Sequence, residues 1–408
     1  MTAIVRTQLS FMMFLEFFIW GSWFVTMGIY LPNTLKSDGG EIAMAYSTQS
    51  WGAILAPFVI GLIADRYFNA ERILGMLHLL GAVLMYLLYQ TDDFALFLPY
   101  LFVYMIMYMS TLALVNSVSF NQMADSGKEF AFVRVFGTVG WITAGLLISF
   151  LNWDSQQGIS EGTLRNTFLM ASIASGVLGI FSFTLPKTPP RADVSKKVSI
   201  SDILGLDALS LLKDRNFLIF FLASVLISIP LAFYYQHAGQ FLGEIGVANP
   251  AGKMTVGQVS EILFMLLLPF FFKRFGFKMT ILVAMSAWGL RYLLFAYGDT
   301  GELVVLLLVG IALHGVCYDF FFVSGQIYTD SKAGRAYKSS AQGLITLATY
   351  GVGMLIGFWV AGKITDAYLL SDGVHDWETI WMYPSAFAFL VMVLFAALFK
   401  NVKIGYKV

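Results

Sequence analysis

The feature that most constrains this sequence is the recurrence of apolar windows, each about 20 residues long, the length that an α-helix needs to cross a bilayer. About twelve such windows follow one another along the chain. Apolar residues make up 58% of the 408 positions and charged residues only 12%, a balance that a soluble globular protein does not keep in water. We therefore predict an all-α membrane protein with twelve transmembrane helices, at residues 9–31, 42–64, 72–90, 95–121, 131–151, 166–185, 217–243, 254–272, 278–297, 302–328, 339–365 and 379–399.

The basic residues between these windows predict the orientation. Loops rich in Lys and Arg stay in the cytoplasm. Alternate loops carry nearly all of the Lys and Arg residues, and only Lys36, Arg165, Lys253 and Lys363 fall on the other side. We expect both termini in the cytoplasm, which requires an even number of spans.

The longest polar stretch, residues 186–216, predicts where the chain divides. It contains Pro189, Pro190 and the basic pair Lys196 and Lys197. We expect a six-helix bundle at residues 1–185, a cytoplasmic linker at 186–216 and a second six-helix bundle at 217–408. Residues 201–212 are too short to span a bilayer, and their early acids and following Lys213 predict a surface helix.

The composition also excludes several kinds of site. Lys plus Arg equals Asp plus Glu, at 25 each, so no charge excess points to nucleic acid. The single cysteine excludes an internal disulfide, and the four histidines lack metal-ligand spacing. We predict neither a metal site nor a cofactor.

The window at 254–272 contains the acid that demands the most explanation. Thr255, Gln258 and Glu261 recur every three residues and so lie on one helical face. An ionised Glu in hydrocarbon costs at least about 2.5 kcal/mol on insertion scales. Glu261 must therefore face protein, a cavity or a partner charge.

Two further acids lie in apolar windows. Asp319 follows Tyr318 in the tenth span and can act in proton transfer or form a structural ion pair with Arg134 or Arg291. Glu16 in the first span is equally compatible with proton coupling and with a structural hydrogen bond.

One cation-bearing face is predicted in the fifth span, where Arg134, Thr138 and Trp141 stand one and two turns apart. Arg134 is either a fixed intramembrane cation with a forked set of donors or a side chain that reaches the cytoplasmic surface.

The seventh span contains Pro230, which we expect to break the helix at a point where the unpaired backbone lines a cavity or is covered by protein. Tyr234 and Tyr235 follow it and are predicted ligand contacts. His314, one turn before Tyr318, is interpreted as a core histidine with satisfied hydrogen bonds.

The end of the second span carries a short signature. Gly61, Asp65 and Arg66, with Arg72 beyond them, resemble the gate loop of the major facilitator superfamily, in which Asp and Arg bind neighbouring helix ends. The alternative is the ordinary positive charge of a cytoplasmic loop. Two sets of six helices with a cytoplasmic bridge are typical of such transporters.

A longer resemblance covers nearly the whole chain in order. The sequence resembles the bacterial nucleoside:proton symporter family of that superfamily, and the matching motifs are Trp20-Gly-Ser-Trp23, Thr111-Leu-Ala-Leu-Val-Asn116, Arg134-Val-Phe-Gly-Thr138-Val-Gly-Trp141, Leu204-Gly-Leu-Asp-Ala208, Gln258-Val-Ser-Glu261, Ala287-Trp-Gly-Leu-Arg291, Tyr318-Asp-Phe-Phe321 and Ser340-Ala-Gln-Gly343. The resemblance implies nucleoside binding and proton coupling at Arg134, Thr138, Gln258, Glu261, Tyr318 and Asp319. The seventh span departs from the family pattern because it lacks a pair of inward amides.

This resemblance implies a monomeric, proton-coupled nucleoside carrier in the bacterial cytoplasmic membrane, with lipid and protons as its other partners and no nucleic acid. Trp141, Tyr235 and Tyr318 are expected to stack on the base, while Glu261 and Asp319 carry protons between the two faces as the bundles rock around the site. A sugar or other metabolite carrier is the alternative, since stacking and hydroxyl recognition also suit pyranosides. A membrane enzyme or sensor that uses Glu261 with Asp319 as a carboxylate pair is disfavoured, because no catalytic motif accompanies them.

Overall fold

The computed structural model describes residues 1–59, 68–123, 126–189, 206–333, 338–371 and 373–402, and these residues are almost entirely helical. The first half contains the helices α1 Ala3–Trp23, α2 Gly39–Val59, α3 Ala70–Gln90, α4 Phe94–Asn121, α5 Ser126–Phe150 and α6 Asn166–Ser182. The second half contains α7 Arg215–Glu244, α8 Pro250–Tyr297, α9 Val304–Ala312, α10 His314–Tyr318, α11 Ser324–Ala333, α12 Lys338–Thr346, α13 Met354–Ala367 and α14 Trp377–Leu398. Two π-helical turns, Asp319–Val323 and Leu347–Gly353, connect α10 to α11 and α12 to α13.

Among the described residues, ten helical stretches are long and apolar enough to cross a membrane. One of them, α8, is divided by Gly276, whose φ of 75° lies in the left-handed region that glycine adopts at low cost. The 21-residue helix α2 is additional to those ten. Each predicted span therefore has helix over the part of it that the structure describes, and the chain is an all-α membrane protein.

The residue contacts divide the chain into two compact units. The first unit comprises Met1–Ser199 with Ala248–Gly252, and the second comprises Ile200–Val247 with Lys253–Val408. Within the first unit α1 packs along α5, α3 along α6, and α2 along α4. Within the second unit α7 packs along α13 and α14.

The expected break at Pro230 is wrong, because α7 runs without interruption from Arg215 to Glu244. A proline inside a membrane helix removes only one backbone hydrogen bond, and neighbouring groups compensate for the loss. Here the Tyr292 hydroxyl donates to the Pro230 carbonyl oxygen at 2.6 Å, so a second helix supports the backbone at this point.

The predicted surface helix at 201–212 is only partly within the described residues, where Leu206–Lys213 form a 3-10 helix. This segment ends at Asp214, whose carboxylate accepts the backbone N–H of Phe217 at 2.9 Å and caps α7. The hydrogen bond that the Lys332 ammonium donates to Asp214, at 2.7 Å, lowers the pKa of that carboxyl group. The cap fixes where the first helix of the second unit begins.

Candidate functional site

Glu261 is the centre of a polar cluster inside the second unit. Its side chain is 12% exposed, and its Oε2 lies 3.9 Å from Nε2 of His314, whose own side chain is 4% exposed. The carboxyl group therefore keeps a narrow access to its surroundings while a histidine faces it from α10. A small movement brings the two groups into hydrogen-bonding distance.

The orientation of His314 is fixed from its other side. Nη1 of Arg291 lies 3.3 Å from Nδ1 of His314. Because a guanidinium group only donates hydrogen bonds, Nδ1 must accept and the ring proton of the neutral histidine must sit on Nε2. His314 therefore points an N–H at Glu261.

Arg291 is a completely buried cation, with no exposed surface. Its guanidinium carbon lies 3.3 Å from the centroid of the Tyr234 ring, and the same ring stacks on His314 with 5.4 Å between centroids. The face of an aromatic ring attracts a cation most strongly when water is excluded. The Tyr234 ring thus stabilises the buried charge, and its predicted ligand role competes with this packing.

Three further tyrosines surround the carboxyl group. The hydroxyl groups of Tyr318 and Tyr350 lie 2.7 Å apart, and the Tyr318 ring stacks on His314 with 5.6 Å between centroids. Tyr235 is only half-buried and lies near Tyr350 and Glu261. The cluster therefore offers aromatic faces and hydroxyl groups beside an ionisable acid.

The other two predicted residues of the second unit border this cluster in sequence. Gln258 is half-buried on α8, one turn before Glu261. Asp319 is fully buried and begins the π-helical turn Asp319–Val323 directly after Tyr318. Single π turns inside α-helices occur frequently at functional sites.

The predicted face of α5 lies against α1 in the first unit. The guanidinium carbon of Arg134 lies 4.1 Å from the centroid of the Phe17 ring, and the rings of Trp141 and Trp20 meet edge to face at 5.5 Å. Thr138, between them on α5, is buried. Arg134 is half-buried and held on an aromatic ring.

The remaining predicted residues occupy other parts of the first unit. Glu16 is fully buried on α1, with Oε2 at 2.8 Å from Nε2 of His78 and Oε1 at 2.6 Å from the Thr111 hydroxyl. Arg72 is exposed near the start of α3. The gate residues Gly61, Asp65 and Arg66 lie outside the described residues.

Sequence reasoning missed three members of the Glu261 cluster. The sequence presents Arg291 as a possible ion-pair partner of Asp319 and as part of a family motif, and it presents His314 as an ordinary core histidine. Tyr350 carried no signal, since it is one of 19 tyrosines in an apolar chain. A buried arginine in a membrane helix was the available signal, because such a charge requires a partner.

Over the described ranges no group of His, Cys, Asp and Glu is placed to hold a metal ion.

Gly315 sets the distance between His314 and the Glu261 helix. Its N–H donates to Ser260 Oγ at 3.0 Å, and a Cβ at this position would lie 2.5 Å from the Ser260 carbonyl carbon. We expect Gly315→Ala to force α10 away from α8 and to destabilise the fold by about 1–3 kcal/mol. The loss of stability is measured by heating the purified protein in detergent and recording the fraction that stays monodisperse at each temperature.

Gly343→Ala is the matched control for that substitution. Gly343 lies in α12, and a Cβ there meets no atom within 4 Å. We expect this variant to be as stable as the wild type. Equal melting temperatures for the two alanine variants would show that α10 and α8 can separate at no cost.

Comparisons with known proteins agree with the fold. The sequence pattern of the family described as Nucleoside H+ symporter matches residues 3–403. YegT of Escherichia coli (strain K12) is 42% identical over 402 residues, which cover 97% of this chain and 93% of that protein. The xanthosine permease of the same organism is 37% identical over 412 residues, covering 97% of this chain and 96% of the permease.

A solved structure is similar over its full length. The crystal structure of the nucleoside transporter NupG is 31% identical, with a TM-score of 0.86, and the match covers 98% of this chain and 100% of that chain. The family pattern spans almost the entire sequence, and the relatives match it from end to end. The chain is therefore a multi-pass membrane transporter and belongs to the nucleoside H+ symporter family.

Proposed function

We propose that Glu261 is the residue through which this transporter couples nucleoside uptake to the proton gradient. The observation that carries the proposal is the position of its carboxyl group, 12% exposed and 3.9 Å from the Nε2 of His314. A carboxyl group in surroundings of low dielectric holds a proton more readily than in water, and a nearby N–H donor favours the ionised form. Movement of His314 relative to Glu261 thus changes how tightly the proton is held.

The nucleoside is expected to bind next to this carboxyl group. Tyr235 and Tyr318 offer aromatic faces for the base, and Gln258 offers an amide one turn from Glu261. Arg134, Thr138 and Trp141 are the proposed contribution of the first unit. A substrate held by Gln258 then senses the protonation state of Glu261 directly, which is what coupling requires.

Several properties of the whole chain belong to the same proposal. The excess of basic residues in alternate loops supports cytoplasmic termini. We further propose a monomer made of bundles at 1–185 and 217–408, joined by the linker at 186–216, with Asp319 as a second carboxyl group of the coupling site. Gly61, Asp65, Arg66 and Arg72 are the proposed cytoplasmic gate.

Uptake by purified protein in proteoliposomes tests the function. We expect radiolabelled uridine, adenosine or xanthosine to accumulate above its external concentration only when an inward proton gradient is imposed. Competition by unlabelled nucleosides, but not by ribose, free bases or maltose, is the expected specificity. Equal accumulation with and without the proton gradient would contradict the proposal.

Arg134→Lys tests the contribution of α5 to binding. Lysine keeps the charge but loses the planar fork that stacks on Phe17 and donates several hydrogen bonds. We expect nucleoside affinity to fall about tenfold, which corresponds to about 1.4 kcal/mol, while the yield of folded protein is maintained. Isothermal titration of the purified protein with uridine measures the change.

Arg6→Lys provides the control for this substitution. Arg6 is exposed, and its guanidinium carbon also lies over a phenylalanine ring, that of Phe132, at 5.0 Å. We expect wild-type affinity in this variant. Equal affinities for wild type and Arg134→Lys would remove Arg134 from the binding site.

A further inference from the structure

A second buried acid with a histidine partner lies in the first unit. Glu16 on α1 is 0% exposed and His78 on α3 is 2% exposed, and 2.8 Å separate Oε2 of the acid from Nε2 of the histidine. No part of the binding site proposed above includes His78. The contact joins two helices through a pair of groups that both exchange protons.

The hydrogen bonds around the pair determine how many protons it holds. The Ser175 hydroxyl donates to the His78 carbonyl oxygen at 2.8 Å, so its oxygen has to accept from Nδ1 of the same histidine, 3.1 Å away. Nδ1 therefore carries a hydrogen. Nε2 then faces Glu16 either as a lone pair or as the second N–H of an imidazolium.

Exactly one proton must accordingly lie between Nε2 and Oε2. With none, a lone pair and a carboxylate oxygen would face each other at 2.8 Å, and with two, both atoms would present hydrogens. When the Thr111 hydroxyl donates to Oε1, the pair is neutral as a whole whichever of Nε2 and Oε2 holds the proton. Removing that proton leaves a net negative charge in a dry interior and drives the two helices apart or draws in a cation.

The charged and titratable groups that face the pair come from two other helices. Tyr108 and Tyr104 on α4 lie near Glu16, and the Tyr108 hydroxyl donates to the Glu16 carbonyl oxygen at 2.6 Å. From α5, the Arg134 guanidinium interacts electrostatically with Tyr108. The third neighbouring helix, α6, supplies Ser175 and contains no titratable residue.

These groups connect the pair to the proposed nucleoside contacts. The Tyr108 ring packs against Trp20 at 5.7 Å, and Trp20 packs against Trp141 at 5.5 Å. Phe17, the residue after Glu16, carries the Arg134 guanidinium on its ring. These packed rings therefore link the pair to the helix that holds Arg134 and Trp141.

We propose that Glu16 and His78 form a second proton-binding site, whose single proton is released and rebound during each transport cycle. The claim that this proton is coupled to transport rests on the proposed function. The claim that the pair holds one exchangeable proton rests on the hydrogen bonds alone. The opposing interpretation is a permanent hydrogen bond that never releases its proton. The two interpretations differ in the number of protons moved for each nucleoside.

Glu16→Gln tests the coupling role with little disturbance of shape. The glutamine N–H donates to Nε2 of His78, its oxygen accepts from Thr111, and no proton can be exchanged. Each coupled proton contributes about a tenfold concentration ratio for each unit of pH gradient. We expect steady-state uridine accumulation under a one-unit inward gradient to fall about tenfold without being abolished.

Two further variants serve as the controls for this measurement. Glu161→Gln, an exposed acid of the same unit, should accumulate uridine as the wild type does. Glu261→Gln should not accumulate uridine above its external concentration, because a permanently neutral group beside the substrate lets nucleoside cross without an obligatory proton. Wild-type accumulation in Glu16→Gln would overturn the proposal.

A measurement on the wild-type protein avoids any dependence on how the variant folds. The nitrogen resonances of histidines in isotope-labelled protein report which ring atoms carry protons, and the signal of His78 is assigned by its absence in His78→Gln. We expect the His78 Nε2 shift to change with pH and on addition of uridine. A shift that stays constant under both treatments would overturn the proposal.

The two experiments also separate this inference from the function itself. Wild-type protein that fails to accumulate any nucleoside under a proton gradient would refute the proposed function. The pH response of the His78 resonance would still decide whether the pair exchanges a proton.

Discussion

Glu261→Gln should abolish proton-driven accumulation of nucleosides while leaving exchange between equal pools intact. The glutamine amide imitates the protonated acid, and its oxygen can still accept the Nε2–H of His314. The group can then bind substrate but can no longer release a proton on the cytoplasmic side. With the two coupled protons proposed above, a one-unit gradient supports about a hundredfold accumulation in the wild type, and the variant should reach only the external concentration.

The measurement compares uridine accumulation, counterflow and folded yield on one preparation. A structural role for Glu261 predicts a different pattern, because removing one partner of a buried charge pair costs about 3–5 kcal/mol and reduces the amount of folded protein. Glu302→Gln, an exposed acid of the same unit, controls for the substitution itself. Normal yield together with full gradient-driven accumulation would contradict both roles.

The helices and the central acid could be predicted from the sequence because both follow from local chemistry. An apolar run of the right length needs only its own backbone hydrogen bonds to be a membrane helix. A carboxyl group inside such a run is costly wherever the helix is placed, so Glu261 and Glu16 were identifiable before any contact was known.

The partners of these acids could not be predicted because they depend on how separate helices pack. His78 is 62 residues from Glu16 in sequence, and Arg291 is 23 residues from His314. No periodicity within one helix relates such positions. The four histidines looked scattered when they were judged by metal-ligand spacing, yet His78 and His314 each face a carboxyl group in the fold.

At Pro230 the rule that proline breaks a helix predicts the wrong backbone conformation. Proline weakens a helix in isolation, but α7 packs along α13 and α14. Packing along the whole 30-residue helix outweighs the loss of one hydrogen bond. The two tyrosines that follow are therefore presented by a regular helix, and Tyr234 points into the interior beneath Arg291.

Arg291→Lys should reduce transport strongly even though the charge is retained. The guanidinium group of Arg291 covers the Tyr234 ring and also donates to His314. A lysine ammonium is a compact point charge and cannot make both contacts with one planar surface. A desolvated cation–π contact is worth about 2 kcal/mol or more, so its loss alone corresponds to about a thirtyfold decrease in the population of the correctly assembled site.

The pattern of the loss distinguishes positioning from simple destabilisation. Without the donor from Arg291, His314 is free to carry its proton on Nδ1 and to turn a lone pair towards Glu261. We therefore expect Arg291→Lys to change the pH dependence of uridine uptake as well as its rate, whereas Arg215→Lys, at the exposed start of α7, should change neither. A lower yield of folded protein with an unaltered pH profile would assign Arg291 to stability alone, because the orientation of His314 would then not affect the proton held by Glu261.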